Sequence, residues 1–553
     1  MINKLISRIW LLVISAFVLQ SCAKKLDLFP QNDLTPDKAY ADAAAYKSVL
    51  AKIYGSLASG GNGGLAIDGV GNPDISGNLD EGSQIAFIRP FFNCQELPTD
   101  EAMCGWNDQT IKDYHNLSWT PADPFLKGMY ARPIWNITLI NEYLRESTDE
   151  KLSSRGIIGA DADDIKKSRG EVRFLRAFNY WLMMDLFGKS TFITEDNVVG
   201  TELPGEISRE ELFDYVESEL KAIENEMAPV KTAVYGRVDQ GAAWALLARI
   251  YLNAQVYTGT AKWNEAITYA KKVIDGGYQL HQTVVKGYSG YEQLFMADND
   301  KHKNELIFAV ECDGATLKSY GNTTFFVNAA SAGDKKDFFE GGSSGWKGYV
   351  ATRGFADRFP DLSGNTDKRA LFTTSVYGTS NLTIPSLEQD PLFEGGLHIK
   401  KYVNKRSDSL AVKDVVQKTF ADIDFPVFRL SEMYLIYAEA VLRGGTTGDA
   451  GTALNYVNLV RTRGYGGSTS GNITAGELTL QFILDERARE LYWEGHRRTD
   501  LVRYNQLTTS TYLWPWKGGV SSGTAVESKY NLYPIPASVL SSNPNLTQND
   551  GYN

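Results

Sequence analysis

The sequence predicts a mainly α fold, a scaffold of stacked helical pairs interrupted by long irregular loops and a few short β-strands. Three observations predict it. Apolar residues recur at helical spacing in one segment after another between Asp37 and Asn505. Those segments fall into neighbours joined by short polar or Gly-containing turns. Two long stretches, 59–124 and 277–425, lose the period and carry Gly, Asn and aromatic residues instead. With 553 residues, 43% hydrophobic and 22% charged, the chain has the composition of an ordinary globular protein able to bury a large core.

The first element is an address. Met1–Cys22 has a basic start at Lys4 and Arg8, then a run from Ile9 to Leu19 that is apolar apart from Ser15. That run is short for a membrane span of ~20 residues and reads as a secretory signal over residues 1–21. It ends in Leu19-Gln20-Ser21-Cys22, which resembles a bacterial lipobox with Cys22 as the lipidated residue. Each buried acyl methylene contributes about 0.8 kcal/mol, so two or three chains hold a protein at a membrane firmly. Residues 22–553 are then one domain, with its scaffold over about 36–276 and 426–505.

Asp37–Leu57 carries Ala and aromatic residues at helical spacing, with Pro36 suited to the helix start. Pro133–Glu146 is expected as its distant partner. Ile165–Gly188 presents Phe174, Ala177, Phe178, Trp181 and Leu182 on one face and pairs with Ser208–Met227, opened by a Ser208 to Glu211 capping box. Val238–Gln255 pairs with Lys262–Asp275, which stops at Gly276-Gly277. Leu430–Arg443 pairs with Asp449–Arg463 across a Gly-rich turn. Ala248, Ala266, Ala438 and Ala453 stand where paired helices must touch. The pattern resembles tetratricopeptide pairs with enlarged loops, and such pairs stack because none can bury its apolar stripe alone.

Leu484–Asn505 closes the scaffold. Leu484, Ala488, Leu491 and Tyr492 share a stripe, and Glu486, Arg487, Arg489, Glu490 and Glu494 sit at spacings that allow ion pairs along a helix surface. Gly495 interrupts it before His496-Arg497-Arg498-Thr499-Asp500. Glu490, Glu494 and His496 form a conceivable acid/base cluster, set against the plainer reading of a charged helix whose arginines tie neighbouring elements together.

Net charge of −11 and a pI near 5.2 exclude a nucleic-acid footprint and oppose electrostatic attachment to anionic lipid. Cys94 and Cys104, ten residues apart, leave open a disulfide or two free thiols, and Cys312 stands alone. Five scattered histidines argue against zinc, no cofactor motif is present, and a loop calcium built from Asp and Asn oxygens stays open. Gly188-Lys189-Ser190 lacks the upstream glycine of a P-loop.

The run DERARELYWEGHRRTDLVRY, from Asp485 to Tyr504, resembles the C-terminal signature of the SusD/RagB family, lipid-anchored nutrient-binding proteins of the bacterial outer membrane. VRFLRAFNYWLMMDLFG, GRVDQGAAWALLARIYLNA, FPVFRLSEMYLIYAEAVLR and NLYPIPASVLSSNPNLTQNDGY resemble further family segments in order, with Asp550 where proline is common. The resemblance implies a non-catalytic cell-surface protein that captures oligosaccharide or polysaccharide and passes it to a SusC-like TonB-dependent transporter in the same outer membrane. Family members exported to the surface often carry acidic residues after the lipidated cysteine. Here Lys24 and Lys25 follow it, which leaves the leaflet orientation open.

A sugar ring offers a flat C–H face and a rim of hydroxyls, so capture without chemistry calls for exposed aromatic plates beside amide, carboxylate or guanidinium groups. The 12% aromatic content, 29 Tyr, 25 Phe and 11 Trp, exceeds what a core needs. Within Phe87–Asp123, the Glu96–Glu101 stretch and Trp106-Asn107-Asp108 look like the family's loop near the glycan platform. Trp106 is the expected stacking ring, with Asn107 and Asp108 as rim contacts and Arg89 and Phe92 behind them. Trp119 is expected to pack on the scaffold. Trp346, flanked by glycines, is the second presented ring, with Tyr288, Tyr291 and Asn322 from the same region. Two other readings compete. One is a peptide-binding member of the same fold. The other is a surface glycoside hydrolase, which needs two carboxylates about 5–9.5 Å apart across a bond. Glu490 and Glu494 project from one helix instead.

Overall fold

The computed structural model describes residues 36–62, 72–75, 79–197, 200, 202–331, 345–346, 348–372, 375–376, 379–380, 397–414 and 419–552. The signal segment, Cys22 and the leader after it lie outside the described residues.

The principal helices, in chain order, are α1 (Ala43–Gly55), α2 (Ile88–Glu96), α3 (Gln109–Asn116), α4 (Pro124–Glu146), α5 (Gly159–Leu186), α6 (Arg209–Ile223), α7 (Gln240–Leu252), α8 (Trp263–Asp275), α9 (Thr323–Ala330), α10 (Leu430–Leu442), α11 (Ala450–Gly464), α12 (Leu480–Leu491) and α13 (Arg497–Arg503). Four strands matter here: β1 (Ala102–Cys104), β2 (Leu306–Val310), β3 (Tyr349–Ala351) and β4 (Phe425–Arg429). They form two antiparallel pairs, β1 with β3 and β2 with β4.

Three expected pairs form: α5 packs on α6, α7 on α8 and α10 on α11. The pairs then stack through α8 and α10. Ala248, Ala266, Ala438 and Ala453 are fully buried at these contacts, where a methyl group lets helix axes approach. The Ser208–Glu211 capping box satisfies two orphan donors at the head of α6. Buried ions cross-link the layers. Arg176 joins α5 to Glu219 of α6 at 2.9 Å, and Arg249 joins α7 to Glu432 of α10 at 2.6 Å.

Several elements depart from expectation. The first helix breaks after Ala39 and restarts behind Asp42, whose carboxylate accepts from Ala45 N at 2.8 Å. α4 begins at Pro124, not Pro133; Asp123 caps it, and Pro133, expected at the helix start, sits inside it. α2, α3 and α9 lie within the stretches expected to be irregular.

The charged run of α12 and its sequel is not a surface. Glu486, Arg487, Arg489, Glu490, Glu494 and Arg497 are all buried. Arg369 donates to Glu486 at 2.7 Å and Glu490 at 3.1 Å, while Arg429 grips Glu494 at 2.7 and 2.8 Å and also donates to Glu490. Arg463 bridges Glu490 and Glu305. Burial alone would raise the Glu490 acid, but the Arg463, Arg429 and Arg369 guanidiniums outweigh it and hold it at about 2. Glu490, Glu494 and His496 therefore tie segments together and are closed to a substrate.

Cys94 and Cys104 are buried free thiols, which decides against the disulfide. Burial pushes both up to about 12, and the Cys94 sulfur lies 3.6 Å from the Tyr114 hydroxyl. Trp119 packs on the scaffold as expected, its indole N–H donating to Tyr552 at 2.8 Å.

Candidate functional site: a row of half-buried rings

The β1–β3 pair brings two distant loops together. Its register sets Cys104 opposite Tyr349, and Gly105 N–H donates to the Gly348 carbonyl at 3.0 Å. Trp106 and Trp346, 240 positions apart, thus become neighbours, and the Trp106 indole N–H donates to the Trp346 carbonyl at 3.2 Å. The Trp346 segment is itself fastened to α9, through Trp346 N–H to Asn328 O and Gly348 N–H to Ala329 O, both 2.8 Å.

Trp106 is half-buried. It stands edge-on to Tyr349 and Phe325, with centroids at 5.5 and 6.3 Å. The Arg89 guanidinium lies 5.4 Å from its ring and 4.5 Å from that of Phe325, so Arg89 braces the plate by cation–π contact. A Cβ on Gly348 would come within 2.5 Å of the Trp106 ring, so only glycine allows this seat. Trp346, also half-buried, continues the row to Tyr320 at 5.7 Å, and Tyr320 rests on buried Phe420 at 5.1 Å. Beside the first ring, Asn107 and Asp108 are exposed; Asn107 Oδ1 accepts from Lys112, and Asp108 precedes α3 without capping it. The arrangement offers three apolar faces with an amide, a carboxylate and a guanidinium close by.

Three expected contact residues are corrected. Phe92 is sealed among Phe325, Phe326, Tyr349 and Trp493. Tyr291 is fully buried, its hydroxyl donating to Glu490 O at 2.8 Å. Asn322 is the buried cap of α9, accepting from Thr324 N at 2.9 Å. In each case the side chain is consumed by the core. Tyr288 is half-buried in a tight turn with Val285, where its carbonyl accepts from Gln293 at 3.0 Å. Sequence reasoning missed Tyr320, whose one local signal is the Gly321 that follows it.

Among the described residues, no group of three or more His, Cys, Asp or Glu is placed to hold a metal ion, and no helix is long and apolar enough to cross a membrane. Cavities of about 460, 520 and 490 Å³ lie elsewhere, beside Asn141 and Arg145, beside Lys189 and Arg209, and between α1 and β2.

A model of the SusD family matches residues 390–552. The starch-binding protein SusD of Bacteroides thetaiotaomicron is 35% identical over 100% of this chain and 99% of its own length. A SusD-like protein of Formosa agariphila is 24% identical, covering 69% of this chain and 72% of the relative. Among solved structures, a SusD-like protein from Bacteroides fragilis superposes with TM-score 0.68 at 19% identity, over 95% of this chain and 100% of that one. Surface glycan-binding protein A from Bacteroides thetaiotaomicron, solved with laminarihexaose, gives 0.65 at 17% identity, over 92% and 99%. Together with the stacked helical pairs, the full-length likeness decides the family, and the chain belongs to the SusD family.

Proposed function

We infer that this protein is a non-catalytic, lipid-anchored glycan-binding protein of the outer-membrane surface, that its ligand is a starch-type α-glucan, and that it passes the captured chain to a TonB-dependent transporter. The observation that carries the reading is the row Trp106, Trp346 and Tyr320, three half-buried rings on neighbouring backbone segments. Successive rings suit successive glucose units, because each C–H face stacks on one plate while hydroxyls reach Asn107, Asp108 and Arg89. The name of the full-length relative supports starch as the ligand class. The family supports the membrane address, and the Cys22 motif supports the anchor.

The test is retention on amylopectin in an affinity gel and titration with maltoheptaose. Wild type is expected to bind. Trp106→Ala and Trp346→Ala should each weaken binding by about 1–3 kcal/mol, the range measured for base–aromatic stacking and used here as a yardstick. Retention on peptide alone, or release of reducing ends from glycan by the purified chain, would overturn the reading.

A further inference from the structure

Glu96 ends α2 and Glu101 precedes β1, and both carboxyls are closed off from solvent. Glu96 Oε1 accepts from the backbone N–H groups of Gly495 at 2.7 Å and His496 at 3.1 Å, and Glu101 Oε1 from that of Trp493 at 2.7 Å. Two acids five residues apart thus grip one turn, in which Trp493 and Gly495 both have positive φ.

Neighbouring buried carboxylates are matched by cations. Asp100 takes Arg497 and Arg358, Glu494 takes Lys401 and Arg429, and Asp500 takes Arg487 and Arg503. Glu96 and Glu101 have no ion-pair partner among the described residues. Arg497, the nearest candidate, spends its N–H groups on Asp100 and on the Leu484 carbonyl. Glu96 Oε2 meets no N–H or hydroxyl donor, and the acid that acts on it is the Glu101 carboxyl. Two ionised carboxylates in contact repel, whereas one proton between them makes a hydrogen bond.

We propose that Glu96 and Glu101 share one proton, and that this protonated pair is the positioning device holding β1, the strand that leads to Trp106, on the Trp493–His496 turn. Glu101 is continuous with β1, and its carbonyl accepts from Thr352 N–H at 3.2 Å, so the pair braces both strands that seat Trp106 and Trp346. Burial raises both acids, and the neighbouring Glu101 charge adds to the rise at Glu96. The other charged or titratable groups facing the pair are Asp100 on its own loop, His496 and Arg497 on the turn, and Tyr402 and Tyr492 beside it. His496 is kept neutral by burial.

The folded pair holds a proton that the unfolded chain releases at ordinary carboxylate pH, so its stabilisation is lost as pH rises from that range toward the folded value. Glu96→Gln mimics the protonated state: its amide oxygen still accepts from Gly495 and His496, and its NH₂ donates to Glu101. Urea unfolding of wild type, Glu96→Gln and Glu101→Gln is compared between pH 5.5 and 9. Relative to either variant, the wild-type folding constant should fall about tenfold per pH unit over the interval in which only the folded pair keeps its proton. Either variant suffices if the other does not fold. Parallel wild-type and variant profiles overturn the proposal.

The effect on capture rests on the glycan reading. Maltoheptaose affinity should decline toward pH 9 in wild type and stay flat in Glu96→Gln. A wild type that binds no glycan at any pH defeats that reading, while the unfolding comparison still decides the pair.

Discussion

Glu490 receives three guanidiniums in a place water does not reach, and that decides how the residue responds to change. Removing its carboxylate takes one buried anion from Arg369, Arg429 and Arg463 together and leaves the N–H groups that met it without a partner. Breaking a buried pair in this way costs about 3–5 kcal/mol. Glu490→Ala is therefore expected to lower unfolding free energy by that amount in urea titration. Asp275→Ala, which removes the exposed partner of Lys271, should stay within about 0.5 kcal/mol. Equal effects from the two would refute the network. The charges of α12 were legible in the sequence but their burial was not. Alternating Glu and Arg reads the same on a surface as in a core, and the partners Arg369 and Arg429 arrive from 121 and 61 positions away. Trp106 and Trp346, which polar residues or glycines flank in the sequence, are half-buried. Phe92 and Tyr291 sit in stretches of similar texture, and only tertiary packing separates a presented ring from a sealed one.

At the scale of elements, the helical pairs were readable because a 3.6-residue period and a turn are local properties. The β1–β3 pair was not, since three residues of strand carry no period and each residue's partner lies 245 to 249 positions on. Yet that pair seats both tryptophans, and Gly348, just before β3, lies close against the Trp106 ring. Gly348→Ala would press a methyl group to 2.5 Å from the Trp106 ring, so the ring must leave its seat or the strands must part. Overpacking of this kind costs about 1–3 kcal/mol. The expected outcome is a loss of glycan affinity of about tenfold or more, accompanied by a changed tryptophan fluorescence maximum. Gly55→Ala is the control, because a methyl group there meets nothing within 4 Å. It should leave affinity unchanged. Undiminished binding by Gly348→Ala would show that the seat of Trp106 is irrelevant to capture.

For the molecule as a whole, the ionic core dictates how it fails in acid. Asp100, Glu486 and Asp500 are each fully enclosed by guanidiniums that hold them far below the carboxylate range, and Glu490 sits at about 2. In all four burial opposes ionisation and the arginines outweigh it. A depressed acid stabilises the fold above its unfolded value near 4 and loses that contribution as pH falls toward its folded value. Four such groups change stability by on the order of 5 kcal/mol per pH unit once the unfolded chain takes up protons that the native state refuses. Domain stability is itself only about 5–15 kcal/mol, so less than three pH units suffice. The raised acids cannot rescue the fold. Asp123 and Asp424, pushed up to about 7 by burial, are protonated in both states below about pH 4 and contribute no further slope there. Added salt should shift the midpoint little, because screening acts on exposed charges far more than on enclosed ones. Helical circular dichroism and tryptophan fluorescence should therefore collapse together between about pH 4 and 2, at 50 and 500 mM NaCl alike. Full helicity retained at pH 2 would mean that these arginine–carboxylate pairs are not what binds the helical layers to one another.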